Sequence, residues 1–401
     1  MTQASELLGA KSPSCARVVG VVSAAHFVSH YYIILLAPLL PFVRAEYNVT
    51  YTQVGIALAA FNVVSAALQT PAGFLVDWLG ARILLIAGLV IGAVAYVIAG
   101  VVDSFWVMVA MFALAGVGNT IYHPADYAML SQQVPANRIG QAFSVHTFAG
   151  MLGSTVAPGS LLLMQSIWGW RGAFIGAGVL GFAVAALLVA INDEPQTHRK
   201  AGEPAKADSA TSWKLLLSAP ILLNLGFFML LAMVSGGMSN YSVVALGAMD
   251  GTPVTTANAA LSGHLFLSAI GVLIGGWIVG RTARHATVAT IGLAAIVAFT
   301  VLIAYVDLDA WPLVLLMTVC GFFYGVIMPS RDMIVRDITP PGSFGKVFGF
   351  VTTGFNLGGI IAPLIFGAIM DHGSPRFVFL GVAACSLIAI ATVATLPKRA
   401  K

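Results

Sequence analysis

From residue 18 onward, apolar runs alternate with short polar breaks, and each run is close to the roughly 20 residues that cross about 30 Å of hydrocarbon as a helix. The runs cover 18–43, 51–75, 83–101, 106–131, 141–165 and 172–191, then 215–246, 257–279, 288–306, 312–335, 347–370 and 376–396. Between the two sets lies NDEPQTHRKAGEPAKADSATS, a stretch too rich in Pro, Lys, Glu and Ser to bury a core. The pattern therefore predicts an all-α integral membrane protein of twelve transmembrane helices in two six-helix bundles. The bundles are residues 1–191 and 214–401, joined by a linker at 192–213.

Composition sharpens this reading. Hydrophobic residues make up 59% of the chain and charged residues 8%, far below the charge content of an ordinary soluble domain. A net charge of +4 would hint at nucleic acid in a soluble chain, but here the basic residues sit in loops, so no nucleic-acid partner is expected. Cys15, Cys320 and Cys385 are too scattered for a disulfide framework or a CxxC metal site. The polar first seventeen residues precede an apolar run too long for the core of a cleaved signal, so the first span is expected to stay.

The basic residues also set a direction. With both termini and the linker in the cytoplasm, only Arg44, Arg171 and Arg376 face out and Arg331 falls within a span, while the rest of the nineteen lie inside. A bacterial-type inner membrane is the expected location. A reporter fused at residue 205 should give a cytoplasmic signal, and a periplasmic one would overturn the span assignment.

Sliding the chain on itself by 205 residues superposes Pro124 on Pro329, Pro135 on Pro340, Gly153 on Gly358, Pro158 on Pro363 and Arg171 on Arg376 without a gap. Two parallel repeats of this kind place a substrate between them near the midplane and alternate its access to the two sides.

GFLVDWLGAR, residues 73–82, expected in the loop after the second span, resembles the G-x-x-x-D-x-x-G-x-[RK] signature of the major facilitator superfamily through Gly73, Asp77, Gly80 and Arg82. The second half carries a decayed copy in Gly276, Gly280 and Arg284. AHFVSH in the first span, YHPAD in the fourth and RIGQAFSVHTFAGMLGSTVAP in the fifth further resemble the fosmidomycin-resistance type of drug efflux protein, with His30 where that pattern has an acid and Asp126 displaced by one position. The resemblance implies proton antiport and drug resistance, and a gating role for the loop motif, and Arg138 and Asp332 are further gating candidates.

Of the acids, the expected span limits leave only Asp126 and Asp332 within helices, and an acid in hydrocarbon is a functional candidate by default. His26 and His30 share a helix face, as do His123 and Asp126. With His146 they could form one polar cavity able to relay protons, or merely hydrogen-bond between helices. Tyr31, Asn119, Tyr122 and Tyr324 add hydroxyl and amide groups, as do Asn62, Asn240 and Tyr241. Pro124 is expected to kink the fourth span beside a water-filled cavity. The 205-residue offset sets Asp126 opposite Arg331, which predicts an ion pair between the halves in the outward-open state.

These features predict a secondary active transporter, not an enzyme, that moves a small organic solute by proton-coupled efflux. The alternative is proton-coupled uptake of an organic anion such as a carboxylate held by Arg331. Remoter readings are a transporter-like receptor and a metal-ion transporter, since imidazole and carboxylate are ordinary metal ligands. No cofactor and no resident metal is expected, no Walker A sequence is present, and the expected partners are the substrate, protons and the bilayer around a monomer.

Overall fold

The computed structural model describes residues 15–134, 139–191, 214–339 and 344–395. The linker at 192–213 and Arg138 lie outside the described residues, and so does the side chain of Asp77. Among the described residues there are helices and no strand, and eleven helices are long and apolar enough to cross a membrane. One of them, Ile139–Ala190, is broken at Gly169, whose φ of 71° is open to glycine, so it supplies both the fifth and sixth spans and the total is twelve.

The first span is two helices, Cys15–Ile34 and Leu36–Tyr47. Pro38 has no N–H to give Ile34, and the helix breaks in the turn before it. Then come Tyr51–Leu79, Ala81–Val101 and Phe105–Gln133 as the second to fourth spans. The seventh is composite: Ala219–Gly236, a π-helical turn over Gly237–Tyr241, and Ser242–Asp250. Val254–Val279, His285–Tyr305, Ala310–Ile338, Phe344–His372 and Arg376–Ala394 complete the second bundle.

Two expectations about boundaries are corrected. The motif at 73–82 is not a loop, because the second span runs on to Leu79 and the chain turns on Gly80 alone, at φ 93°. Pro124 does not interrupt Phe105–Gln133, so whatever strain it introduces is absorbed within a continuous helix.

In the first bundle the first span packs on the fifth and fourth, the second on the fourth, and the third on the fourth and sixth. In the second bundle the seventh packs on the eleventh and twelfth, the eighth on the tenth, and the ninth on the tenth and twelfth. Glycines set the closest approaches, as expected where dispersion between small residues drives association in lipid. A Cβ on Gly153 would meet the Phe27 carbonyl, and one on Gly321 the backbone of His264.

Between the bundles the second span packs on the eleventh, and Val254–Val279 packs on the long Ile139–Ala190 helix. Asn62 meets Gly359, Gly55 meets the Pro363 carbonyl, and Thr52 meets Gly367. These contacts climb from mid-span to the face away from residues 191 and 214, which flank the linker, and there Leu36–Tyr47 also touches Gly237–Tyr241 and Ser242–Asp250.

Candidate functional site

A cavity of about 440 Å³ lies where the bundles meet. The first bundle contributes His30, Tyr32, Ile33 and Ile34 from the first span, Leu58, Phe61 and Asn62 from the second, Tyr96 from the third and Phe112 from the fourth. From the second bundle come Ala232, Ser235, Gly236, Ser239 and Asn240 of the seventh span, Tyr324 of the tenth, and Phe355, Gly359, Ala362 and Pro363 of the eleventh. The wall is aromatic and aliphatic, with amides, hydroxyls and one imidazole as its polar groups, and none of these lining residues is an acid, a lysine or an arginine. Both first-of-bundle spans are irregular at this level, at Leu35 and at the π turn. A π turn is a common device for aiming side chains at a site, and this one carries Ser239 and Asn240.

Behind His30, away from the cavity, lies a buried polar cluster. The His30 ring sits edge-on to His26 at 4.6 Å, and its Nδ1 is 3.3 Å from Ser154 Oγ. His26 stacks on His146 with centroids 3.8 Å apart. His26 Nδ1 is 3.3 Å and His146 Nε2 is 3.7 Å from the same oxygen of Asp126, which is fully buried. His123, 5.2 Å from His26, is exposed and stacks on Tyr127. Both carboxylate oxygens of Asp126, Nδ1 of His26 and both nitrogens of His146 lack a well-formed hydrogen bond within the protein, an expensive state for buried polar atoms.

The sequence explains the convergence. His26 and His30 are one helical turn apart, and His123, Asp126 and Tyr127 lie within another on the fourth span. Gly150 opens the fifth span to them, since a Cβ there would collide with the rings of both His26 and His30. Nitrogens of His26, His123 and His146 lie within 4.8 Å of one another, so these three could hold a metal ion with Asp126 beside them. The His26 and His146 rings are stacked, however, and present their nitrogens side by side to one carboxylate oxygen, an arrangement suited to passing a proton.

The other expected residues are dispersed. Tyr31 Oη is 2.9 Å from Ser160 Oγ, Tyr122 Oη donates to the Gly88 carbonyl, and Asn119 Nδ2 donates to Ser65 Oγ, all between spans of the first bundle. Tyr324 does reach the cavity, with its hydroxyl donating to the Leu231 carbonyl. Arg82 Nη2 donates to the carbonyls of Leu188 and Val189 at the end of the sixth span, where a cation also favours the helix dipole. Gly73 has open space beside it.

The expected pairing of Asp126 with Arg331 is not formed in this state. Asp126 points into its own bundle, while Arg331 is held by its neighbour, with Nε donating to Asp332 Oδ1 at 2.8 Å. Its guanidinium lies over the rings of Phe228 and Phe355, 4.5 and 4.8 Å from their centroids. Phe355 lines the cavity, so Arg331 stands one ring behind the wall. Ser235 and Ser239 carry no signal in the sequence, because a serine within an apolar span does not declare which face it occupies, and the π turn shifts Ser239 and Asn240 out of helical phase.

The family model described as Major Facilitator Superfamily matches residues 22–249 and 228–401. The chain is 26% identical over 389 residues to the fosmidomycin resistance protein of Escherichia coli K12, covering 94% of this chain and 92% of that one. It is 24% identical to a probable sulfoacetate transporter of Cupriavidus necator, covering 88% and 87%. It is 22% identical to the quinolone resistance protein NorA of Staphylococcus aureus, covering 89% and 91%. Among solved structures, a bacterial homologue of the human lysosomal transporter Spinster, inward-facing and occupied, superposes with a TM-score of 0.81 at 14% identity over 96% of this chain and 97% of that one. The nucleoside transporter NupG gives 0.78 at 14%, covering 94% and 98%.

Proposed function

The chain belongs to the major facilitator superfamily, and from that premise we propose that it is a proton-coupled exporter of a small amphipathic organic solute, working by alternating access. The observation that carries this is the cavity between the bundles, aromatic and uncharged, with a buried carboxylate and stacked imidazoles directly behind one of its walls. The aromatic wall supports an apolar body in the cargo, and Asn62, Asn240, Ser239 and Tyr324 offer hydrogen bonds to a polar end. The relatives named for fosmidomycin and quinolone resistance support the export direction.

The coupling site is the set of Asp126, His26 and His146, with His30 toward the cavity and His123 at the exposed edge of the cluster. A single proton shared between Asp126 and a stacked imidazole would relieve the unmet polar atoms, and its arrival or loss changes the charge of a site that touches the substrate wall through His30. Residues 192–213 and both termini are cytoplasmic in this reading, the membrane is a bacterial inner membrane, the protein acts as a monomer, and the state described is inward-facing.

A second reading is supported by Arg331, partly buried behind Phe355, and by relatives named for sulfoacetate, L-galactonate and nitrate or nitrite. Here an organic anion enters with a proton and takes the guanidinium from Asp332. Proteoliposomes under an imposed pH gradient separate the two, with fosmidomycin, a quinolone, sulfoacetate, galactonate and nitrate tested in both gradient directions. Export of a zwitterionic or apolar compound against its gradient, driven by protons entering, is the expected result. Accumulation of an anion with the proton, lost in Arg331→Lys, would replace it. For whichever compound moves, Asn240→Ala should raise KM by roughly tenfold through lost hydrogen bonding to a neutral group, with a smaller change in maximal rate.

A further inference from the structure

A helix that begins at a protein interface must satisfy the N–H groups of its first turn, and the second span does so from two different bundles. Thr50 and Gln53 form a capping box, in which Gln53 N–H donates to Thr50 Oγ1 at 3.1 Å and Thr50 N–H to Gln53 Oε1 at 2.8 Å. The two remaining donors, Tyr51 N–H and Thr52 N–H, are taken by the carboxylate of Asp371 at 2.7 and 2.8 Å. Asp371 is in the last turn of the eleventh span and belongs to the other bundle. One residue per turn of that span faces the second: Gly359 against Asn62, Pro363 against Gly55, Gly367 against Thr52, and Asp371 at the top.

We propose that Asp371 is a positioning residue of the transport cycle, a carboxylate latch that holds the face away from the linker shut by capping the second span, and that releases when the cavity opens there. The role rests on the alternating-access reading and adds to it a specific residue and a specific bond. Both charge-assisted bonds cross between the bundles, so both must break for the faces to part. Water can then solvate the carboxylate and the two N–H groups, which offsets part of the cost of opening. It is also one-sided. By the 205-residue offset Ser166 stands where Asp371 does, and its hydroxyl donates instead to the Leu163 carbonyl of its own helix. Among the described residues, the other interface, between Val254–Val279 and the long helix, has no equivalent carboxylate, so the balance between the two states depends on Asp371 more than on any symmetric pair.

The test reads conformation and not transport. In full-length protein with Cys15, Cys320 and Cys385 replaced by serine, Ser239→Cys places a thiol in the cavity, and a membrane-impermeant maleimide is applied to oriented vesicles from each side in turn. Asp371→Asn should raise labelling from the face away from the linker by roughly tenfold relative to the opposite side, since the amide loses the charge and one of the two acceptor oxygens while keeping the other. Asp371→Glu should restore part of the closed state, and Asp307→Asn, in the exposed loop between the ninth and tenth spans, should leave the ratio unchanged. An unchanged ratio in folded Asp371→Asn overturns the proposal even where wild-type transport is intact. If that variant does not fold, Gly367→Ala is measured instead. Its methyl group would come 2.8 Å from Thr52 Cα and should push the helices apart with the same change in ratio. Failure of both variants to fold would overturn the latch in favour of a purely architectural contact.

Discussion

Asp126→Asn should reduce gradient-driven transport to the level of empty vesicles while leaving substrate exchange between two equal pools measurable. Asparagine matches the carboxylate in size and can accept and donate hydrogen bonds beside His26 and His146, but it cannot take up a proton. The first bundle should therefore pack as before around a side chain that is fully buried. Counterflow reads the conformational cycle with substrate bound and needs no net proton movement, so the pair of assays separates coupling from folding. If Asp126→Asn still concentrates substrate under a proton gradient, the carrier is one of the imidazoles. If it loses counterflow as well, Asp126 holds the first, fourth and fifth spans together and its role is architectural. His26→Gln should follow Asp126→Asn, because His26 Nδ1 makes the closest approach to the carboxylate.

Gly153→Leu should cost more stability than any polar change in the same bundle. A side chain at 153 would have to occupy the space of the Phe27 carbonyl, which belongs to a helix backbone and cannot turn aside. Overpacking of this kind costs roughly 1–3 kcal/mol when side chains can adjust, and more is expected where the obstacle is main chain. The apparent melting temperature in detergent should fall by several degrees and the yield of monodisperse protein with it. Gly150→Ala, one turn earlier on the same helix, makes the contrast. Its methyl group meets the rings of His26 and His30, which can rotate, so stability should change little while coupling is impaired. Equal melting temperatures for wild type and Gly153→Leu would mean that the first and fifth spans are not held by this contact.

How much of this was legible in the sequence depends on the range of each interaction. The spans and the two-bundle plan follow from runs of apolar residues and from the 205-residue repeat, because the bilayer imposes both length and hydrophobicity on every crossing. The neighbourhood of His26 and His30, and of His123 and Asp126, could be read from helical spacing alone. That His146 joins them depends on Gly150, and a glycine in a helix does not declare which neighbour it admits. Asp371 was legible only as an acid at the very end of the eleventh span, since its partners are backbone groups 320 and 319 positions away. Arg331 and Asp332 looked like groups for contact between the bundles, yet adjacent charges can satisfy each other first, and here they do. Ser235 and Ser239 were hidden because a serine in a span carries no signal of its own, and Asn240, legible as a polar group, could not be placed on the wall because the π turn rotates the helix out of the phase that periodicity assumes.

The break at Leu35 and the π turn at Gly237–Tyr241 occupy corresponding points of the two repeats. Beyond each, a short helix, Leu36–Tyr47 or Ser242–Asp250, continues past the cavity toward the face opposite the linker, and these end pieces touch. Each first-of-bundle span is thus a lever with its fulcrum at the substrate's own level. Bending at two such fulcra can roof over a bound molecule while the remainder of both bundles stays still, so trapping the cargo and swinging the bundles are separable movements with separate energetic costs. On the proposed alternating-access reading, a cargo too long to fit beneath the levers would stall at the first movement, so the positions of Leu35 and the π turn would set an upper length on the cargo.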